Sequence, residues 1–184
     1  DPAKITAAGD SGETGDSPGR PAARLRVLAL GRLSYYKGFD YLVAAMAETN
    51  NMELDIVGSG DREASLKEQA SRLGLQGRVR FHGHLPDDQL AALFKQCDCL
   101  CLPSIERTEA FGLVLLEAMY LGRATIASDV PGSGMGWIVD HEQTGLKVPP
   151  GDSASLANAL RRLQENRDKI SEFGALGRAK FDRM

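Results

Sequence analysis

Two glutamates close the stretch "EAFGLVLLE", Glu109 to Glu117, and the seven residues between them are all apolar or glycine. Carboxylates are seldom buried without partners, so both are candidates for gripping something. On one straight helix, eight steps of about 100° set them roughly 80° apart around the axis and about 12 Å apart along it. That spacing is poor for two carboxylates sharing a proton and good for holding opposite ends of a long ligand. "TEAFG" reads as an irregular approach, which places Glu109 at the mouth of the helix. There the free N–H groups of Phe111, Gly112 and Leu113 form an anion site. Glu117, two turns in among Leu113, Val114, Leu116 and Ala118, needs a donor such as a ligand hydroxyl or a basic side chain.

Other short segments carry matching chemistry. "GRLSYYKG" sets Arg32 and Lys37 around a turn, where two cations either hold a phosphate or stand solvated. "VGSGDRE" has Glu63 where the dinucleotide fingerprint requires its third glycine, and no acidic residue follows at the next strand tip. A hydride-transfer cofactor is therefore disfavoured. Gly58 and Gly60 either admit a ligand against the backbone or make a tight turn. In "FHGHLP", His82 and His84 share one face of an extended segment with no other metal ligand beside them. The extended backbone around His84 and Leu85 suits hydrogen bonds to a flat ring. The inventory is an anion site at a helix mouth, two cations opposite, and a carboxylate on either side. A sugar joined through a diphosphate to a ribose fits it, one glutamate taking sugar hydroxyls and the other the ribose diol.

These groups must be positioned by a scaffold, and the chain supplies one. At 184 residues, with 42% apolar and 26% charged residues, it has the composition of one globular domain. The net charge of −3 and the lack of a Lys/Arg stripe speak against nucleic acid. No stretch has the roughly 18 apolar residues of a membrane span, and the start "DPAKITAAGD" is no signal peptide. It reads as a fragment of something longer, with residues 1–23 as a flexible linker rich in Gly, Ser, Asp, Pro and Ala. The cysteines of "CDCLC" (Cys97, Cys99 and Cys101) are spaced too tightly for a zinc knuckle. Period-two alternation puts all three on one strand face as buried free thiols.

Over 24–184, short apolar strands alternate with amphipathic helices. Strands are predicted at 25–31, 52–60, 79–83, 99–103 and 124–128, with two short ones in "GWIVD" and "TGLKVPP". Helices are predicted at 37–48, 61–74 (capped by Asp61 and ended by Gly74), 87–96 and along the Glu-bearing segment. Two more follow, at 152–166 with a capping residue and at 167–181, the latter softened by two glycines. This pattern is an α/β fold: a Rossmann-like, doubly wound parallel sheet with helices on both faces. Ligands of such sheets lie beyond the carboxyl ends of the strands, where the segments above fall.

"GRLSYYKGFDYLVAA", "LDIVGSG", "RVRFHGHLPDDQLAALFKQCDCLCLPSIERTEAFGLVLLEAMYLGRATIASDVPGSG" and "TGLKVPPGD" together resemble the family 4 retaining glycosyltransferases of the GT-B fold. More narrowly, they are similar to the C-terminal, donor-binding half. The resemblance implies transfer of a sugar from a nucleotide-diphosphate sugar, UDP-, GDP-, dTDP- or ADP-linked, with the anomeric configuration kept. It makes Arg32 and Lys37 the diphosphate-binding pair and Glu109 the donor-sugar contact. Glu117 then holds the ribose, the backbone of Phe111, Gly112 and Leu113 meets sugar and phosphates, and the stretch at His84 and Leu85 reads the base. Gly58 and Gly60 border the nucleotide pocket. No metal or other cofactor is implied, because the cations and the helix terminus supply the positive field. Where many relatives carry a Pro-Glu pair, this chain has Met135-Gly136-Trp137. The resemblance further implies a cytoplasmic enzyme of bacterial cell-surface polysaccharide, lipopolysaccharide or glycolipid synthesis. The N-terminal half, absent here, would supply the glycan or lipid-linked acceptor site and any peripheral contact with the inner membrane face. A piece lacking it is expected to bind nucleotide without transferring sugar. The competing reading is a nucleotide-binding interaction module that kept the fold without the chemistry. A phosphoacceptor signalling domain is disfavoured, since "GRLS" lacks the acidic cluster at the first strand's end.

Overall fold

Six short aliphatic runs pair into one fully parallel sheet: β1 (Leu25–Leu30), β2 (Met52–Val57), β3 (Val79–Phe81), β4 (Cys99–Leu102), β5 (Ala124–Ser128) and β6 (Gly145–Val148). The computed structural model describes residues 24–184. The linker expected over 1–23 lies outside the described residues. The strand order is β3-β2-β1-β4-β5-β6, so the winding reverses between β1 and β4.

Among the described residues, seven α-helices cover the sheet: α1 (Phe39–Ala47), α2 (Glu63–Arg72), α3 (Asp87–Gln96), α4 (Leu113–Tyr120), α5 (Met135–Ile138), α6 (Ser153–Glu165) and α7 (Arg167–Phe181). Alternate strand residues feed two separate apolar clusters. Val27, Ala29, Leu54, Ile56 and Ile126 pack with Phe39 of α1, Leu66 of α2 and Leu160 of α6. Leu28, Val57, Leu100, Leu102 and Ala127 pack with Phe94 of α3, Leu115 and Met119 of α4 and Ile138 of α5. Both sheet faces are therefore covered, which is the doubly wound arrangement expected from strands with continuous apolar runs.

Four expectations need correction. "GWIVD" is not a strand: Met135 and Ile138 are three apart, both fully buried, and they form the single inward face of α5. Period-two logic fails for Cys97, which ends α3 rather than joining β4 and packs in the cluster opposite to that of Cys99 and Cys101. All three thiols are free and buried, as expected. Asp61 does not cap α2, which begins at Glu63 behind Arg62 with no side-chain cap. The helix does end at Gly74 in the left-handed conformation (φ 68°), and α6 is capped by Asp152, which accepts from the Ser155 N–H (2.9 Å). Finally, the glycines of α7 are contact points rather than soft spots. A Cβ on Gly174 would lie 2.2 Å from the Gly122 carbonyl oxygen, so α7 rests directly on the turn before β5.

Candidate functional site

The loops at the carboxyl ends of β1, β2 and β3 are knitted together by backbone alone. The Gly31 N–H donates to the Val57 carbonyl (3.0 Å), Leu33 to Ser59 (2.9 Å), Arg62 to Leu33 (2.9 Å) and Gly58 to Gly83 (2.7 Å). The two loop glycines are required for this stacking. A Cβ at Gly58 would sit 1.9 Å from the Gly31 oxygen, and one at Gly60 would sit 2.3 Å from the Leu33 oxygen. Their close approach is thus to the first loop's backbone. Above this layer opens a cavity of about 540 Å³ lined by Arg32, Gly58, Ser59, Gly60, His84 and Leu85 among others. Five of the expected residues converge there: Arg32, Gly58, Gly60, His84 and Leu85. Arg32 is exposed and makes no ion pair among the described residues.

Lys37, Glu109, Glu117, Phe111, Gly112 and Leu113 do not line that cavity. Lys37 and Glu109 instead meet each other. A 3₁₀ turn, Tyr35–Lys37, turns the lysine inward beneath Gly31. A Cβ on Gly31 would lie only 3.2 Å from the Lys37 Nζ, so the ammonium stands directly behind the cavity wall. It donates to Oε2 of Glu109, across the point where the winding reverses. Both residues are nearly closed to solvent, at 8% and 9% exposure. Gly38 makes the approach of the two loops possible. It is left-handed (φ 68°), and a Cβ there would fall 2.1 Å from the Pro103 oxygen. The Ile105 N–H donates to the Tyr36 carbonyl (2.8 Å) across the same seam.

Two hydroxyls that sequence reasoning did not single out hold Glu109 in place. Ser104, fully buried, donates to the same carboxylate oxygen (3.2 Å). Ser133 donates to the Glu109 backbone carbonyl (2.5 Å), while the Gly134 N–H donates to the Ala110 carbonyl (2.7 Å). The only signal for them in sequence is a hydroxyl at a strand tip, which many loops carry.

The amino end of α4 lies just beyond. Gly112 is its N-cap, left-handed (φ 67°), with no side-chain cap. A Cβ there would crowd Leu102, Leu115 and Met135 at 2.9–3.1 Å, so glycine is needed for packing as much as for the turn. The N–H groups of Phe111, Gly112 and Leu113 find no acceptor among the described residues. Phe111 and Leu113 present their side chains to solvent, at 52% and 65% exposure. Glu117, the fifth residue of α4, is half-buried, its carboxylate has no hydrogen bond or ion pair among the described residues, and burial raises its pKa above the usual carboxylate range. It is the carboxylate most in need of a partner.

His82 takes no part in this site. Its Nε2 meets Asp55 Oδ1 (2.6 Å) in a separate pocket beside Leu93 and Cys97, where Arg80 also binds that carboxylate (2.8 and 3.2 Å). Burial pushes the Asp55 pKa up, but the Arg80 and His82 hydrogen bonds outweigh it and hold the carboxyl below its usual range. His82 and His84 therefore line different pockets, and the shared face expected of them is not seen. Among the described residues, no helix is long and apolar enough to cross a membrane.

Comparison with known proteins gives the family and agrees with the fold. Over 157 residues the chain is 35% identical to the O-antigen chain mannosyltransferase C of Escherichia coli, covering 85% of this chain and 42% of that protein. Among solved structures, the sucrose-phosphate synthase of Thermosynechococcus elongatus superposes with a TM-score of 0.80 at 34% identity, over 89% of this chain and 42% of that one. Anabaena HepE, solved in complex with UDP and glucose, superposes with a TM-score of 0.81 at 29% identity, over 88% of this chain and 44% of that one. The chain thus spans about two-fifths of the length of the curated relatives it matches. A family model described as "Glycosyl transferases group 1" matches residues 12–180. With its six-stranded parallel sheet and covering helices in the arrangement of GT-B glycosyltransferase structures, this chain belongs to the group 1 glycosyl transferases.

Proposed function

We propose that this chain is the donor-binding half of a retaining, metal-independent glycosyltransferase that uses a nucleotide-diphosphate sugar, in the synthesis of bacterial surface polysaccharide, lipopolysaccharide or glycolipid. The observation that carries the proposal is the cavity at the carboxyl ends of β1–β3, with Arg32 on its wall and the Lys37 ammonium directly behind Gly31. A nucleoside seated there has its base beside His84 and Leu85 and its diphosphate toward the two cations. The uncapped N–H groups at the head of α4 add a positive end to the same region. Glu117, whose half-buried carboxylate has no hydrogen-bond partner among the described residues, takes the ribose diol, and Glu109 takes hydroxyls of the donor sugar. The complex of HepE with UDP and glucose supports this class of ligand.

In the proposed reaction, the bond between the anomeric carbon and the diphosphate breaks as the acceptor hydroxyl attacks from the same face. A diphosphate oxygen of the donor accepts the hydroxyl proton. Arg32, Lys37 and the helix terminus stabilise the charge that accumulates on the leaving group. The acceptor site and any membrane contact belong to a second half, and the chain alone binds nucleotide without transferring sugar.

Thermal unfolding in the presence of UDP, GDP, dTDP and ADP tests the reading. A ligand at a hundred times its dissociation constant adds about 2.7 kcal/mol to stability. One nucleotide is expected to stand clear of the other three, and Glu117→Ala to diminish its shift. Equal shifts for all four, unchanged by the substitution, would leave a fold without a donor site.

A further inference from the structure

In the free protein, the cation behind the cavity wall is already occupied. Lys37 and Glu109 are both buried, they pair with each other, and Ser104 donates to the same carboxylate oxygen. Ser133 and Gly134 clasp the main chain of Glu109 and of Ala110, which fixes the point from which the carboxylate reaches. An incoming diphosphate and the Glu109 carboxylate therefore compete for one ammonium. Releasing a buried carboxylate from its counter-charge is costly unless other donors replace it.

The two possible occupants of the cavity differ in whether they bring those donors. A sugar-loaded nucleotide brings phosphates for Lys37 and hydroxyls for Glu109, so the exchange leaves every charge partnered. A nucleoside diphosphate without sugar brings only the phosphates. It strips Glu109 of its lysine and leaves Ser104 as the carboxylate's remaining partner among the described side chains.

We propose that Glu109 sets specificity by selecting against the sugar-free nucleoside diphosphate, holding Lys37 back from any ligand that cannot partner the carboxylate in return. The inference rests on the donor-pocket reading above and gives the same residue a second task. Glu109 weakens the hold on spent nucleotide and so favours its exchange for loaded donor. The geometry requires no moving loop, only a change of partner at the Lys37 Nζ.

The test is calorimetric titration of the chain with UDP, GDP, dTDP and ADP, and with the glucose-linked form of whichever nucleotide binds. Glu109→Gln keeps the shape and a hydrogen-bond acceptor for Lys37 but removes the competing charge. It is expected to bind the sugar-free diphosphate about tenfold tighter, equivalent to about 1.4 kcal/mol, and to lose preference for the loaded form. Adding Lys37→Met to Glu109→Gln is expected to abolish that gain, as a contest for one ammonium requires. Glu109→Asp, which shortens the reach to Lys37, gives a smaller gain in the same direction and serves if the glutamine variant does not fold. Unchanged or weaker diphosphate binding in both Glu109 variants, with a wild type that binds, overturns the inference and leaves the donor pocket standing. Failure of all four nucleotides to bind any of these proteins overturns both.

Discussion

Lys37→Met lowers the stability of the chain by about 3 kcal/mol or more, the usual cost of removing one partner from a buried ion pair. The lysine head is walled in by Gly31 above and Glu109 beside it, so no water-exposed rotamer compensates for its loss. What remains is a carboxylate with the Ser104 hydroxyl as its remaining side-chain donor. The double replacement Lys37→Met with Glu109→Met is expected to recover most of the loss, because a well-packed apolar pair replaces a buried ion pair at little net cost. Urea denaturation of the three proteins measures this directly. A single variant as stable as the wild type would mean that the pair is open to solvent, and the geometry at the winding reversal would be wrong.

The second large effect belongs to a residue with no side chain. Gly58→Ala is expected to cost about 4 kcal/mol or more, in the range reserved for severe steric conflict. Its φ of +130° is foreign to L-residues, and the added Cβ would land 1.9 Å from the Gly31 oxygen. Neither atom can retreat, because Gly31 and Gly58 are tied by main-chain hydrogen bonds to Val57 and Gly83. Relief requires the tips of β1 and β2 to part, and those tips form the floor of the cavity. Nucleotide binding is therefore lost together with stability. Gly74→Ala is the control. It is also left-handed (φ 68°), but no atom lies within 4 Å of its added Cβ, and it is expected to cost about 1 kcal/mol. Equal costs at the two positions would show that backbone conformation alone, and not the collision, sets the penalty.

Much of this architecture is legible in the chain because a parallel sheet announces itself: continuous apolar strands, intervening helices of one-sided polarity and glycines at the strand tips. The segment Met135–Ile138 was not legible in that way. Four mostly apolar residues suit a strand as well as a helical turn, and the turn is closed by the Ile138 and Val139 N–H groups donating to the Gly134 (3.2 Å) and Met135 (3.1 Å) carbonyls. Cys97 misled for a similar reason, since alternation was extended past the point where β4 begins. The pairing of Lys37 with Glu109 was beyond reach altogether. They are 72 residues apart, and only the order in which the strands assemble, which periodicity does not encode, sets β1 beside β4. The motif reading assigned both residues to a ligand; in the fold each is the other's partner.

The three core thiols carry a practical consequence. Alkylating reagents attack the thiolate, and burial raises the pKa of all three thiols, that of Cys97 to about 12. Cys99 and Cys101 lie in one layer of the molecule and Cys97 in the other, so modification of all three demands that both layers part. Their rate of capture by iodoacetamide therefore times whole-molecule opening without any introduced probe. By the same token, a fourth cysteine placed on the outer surface could carry a dye alone, its three neighbours staying silent until the sheet comes apart.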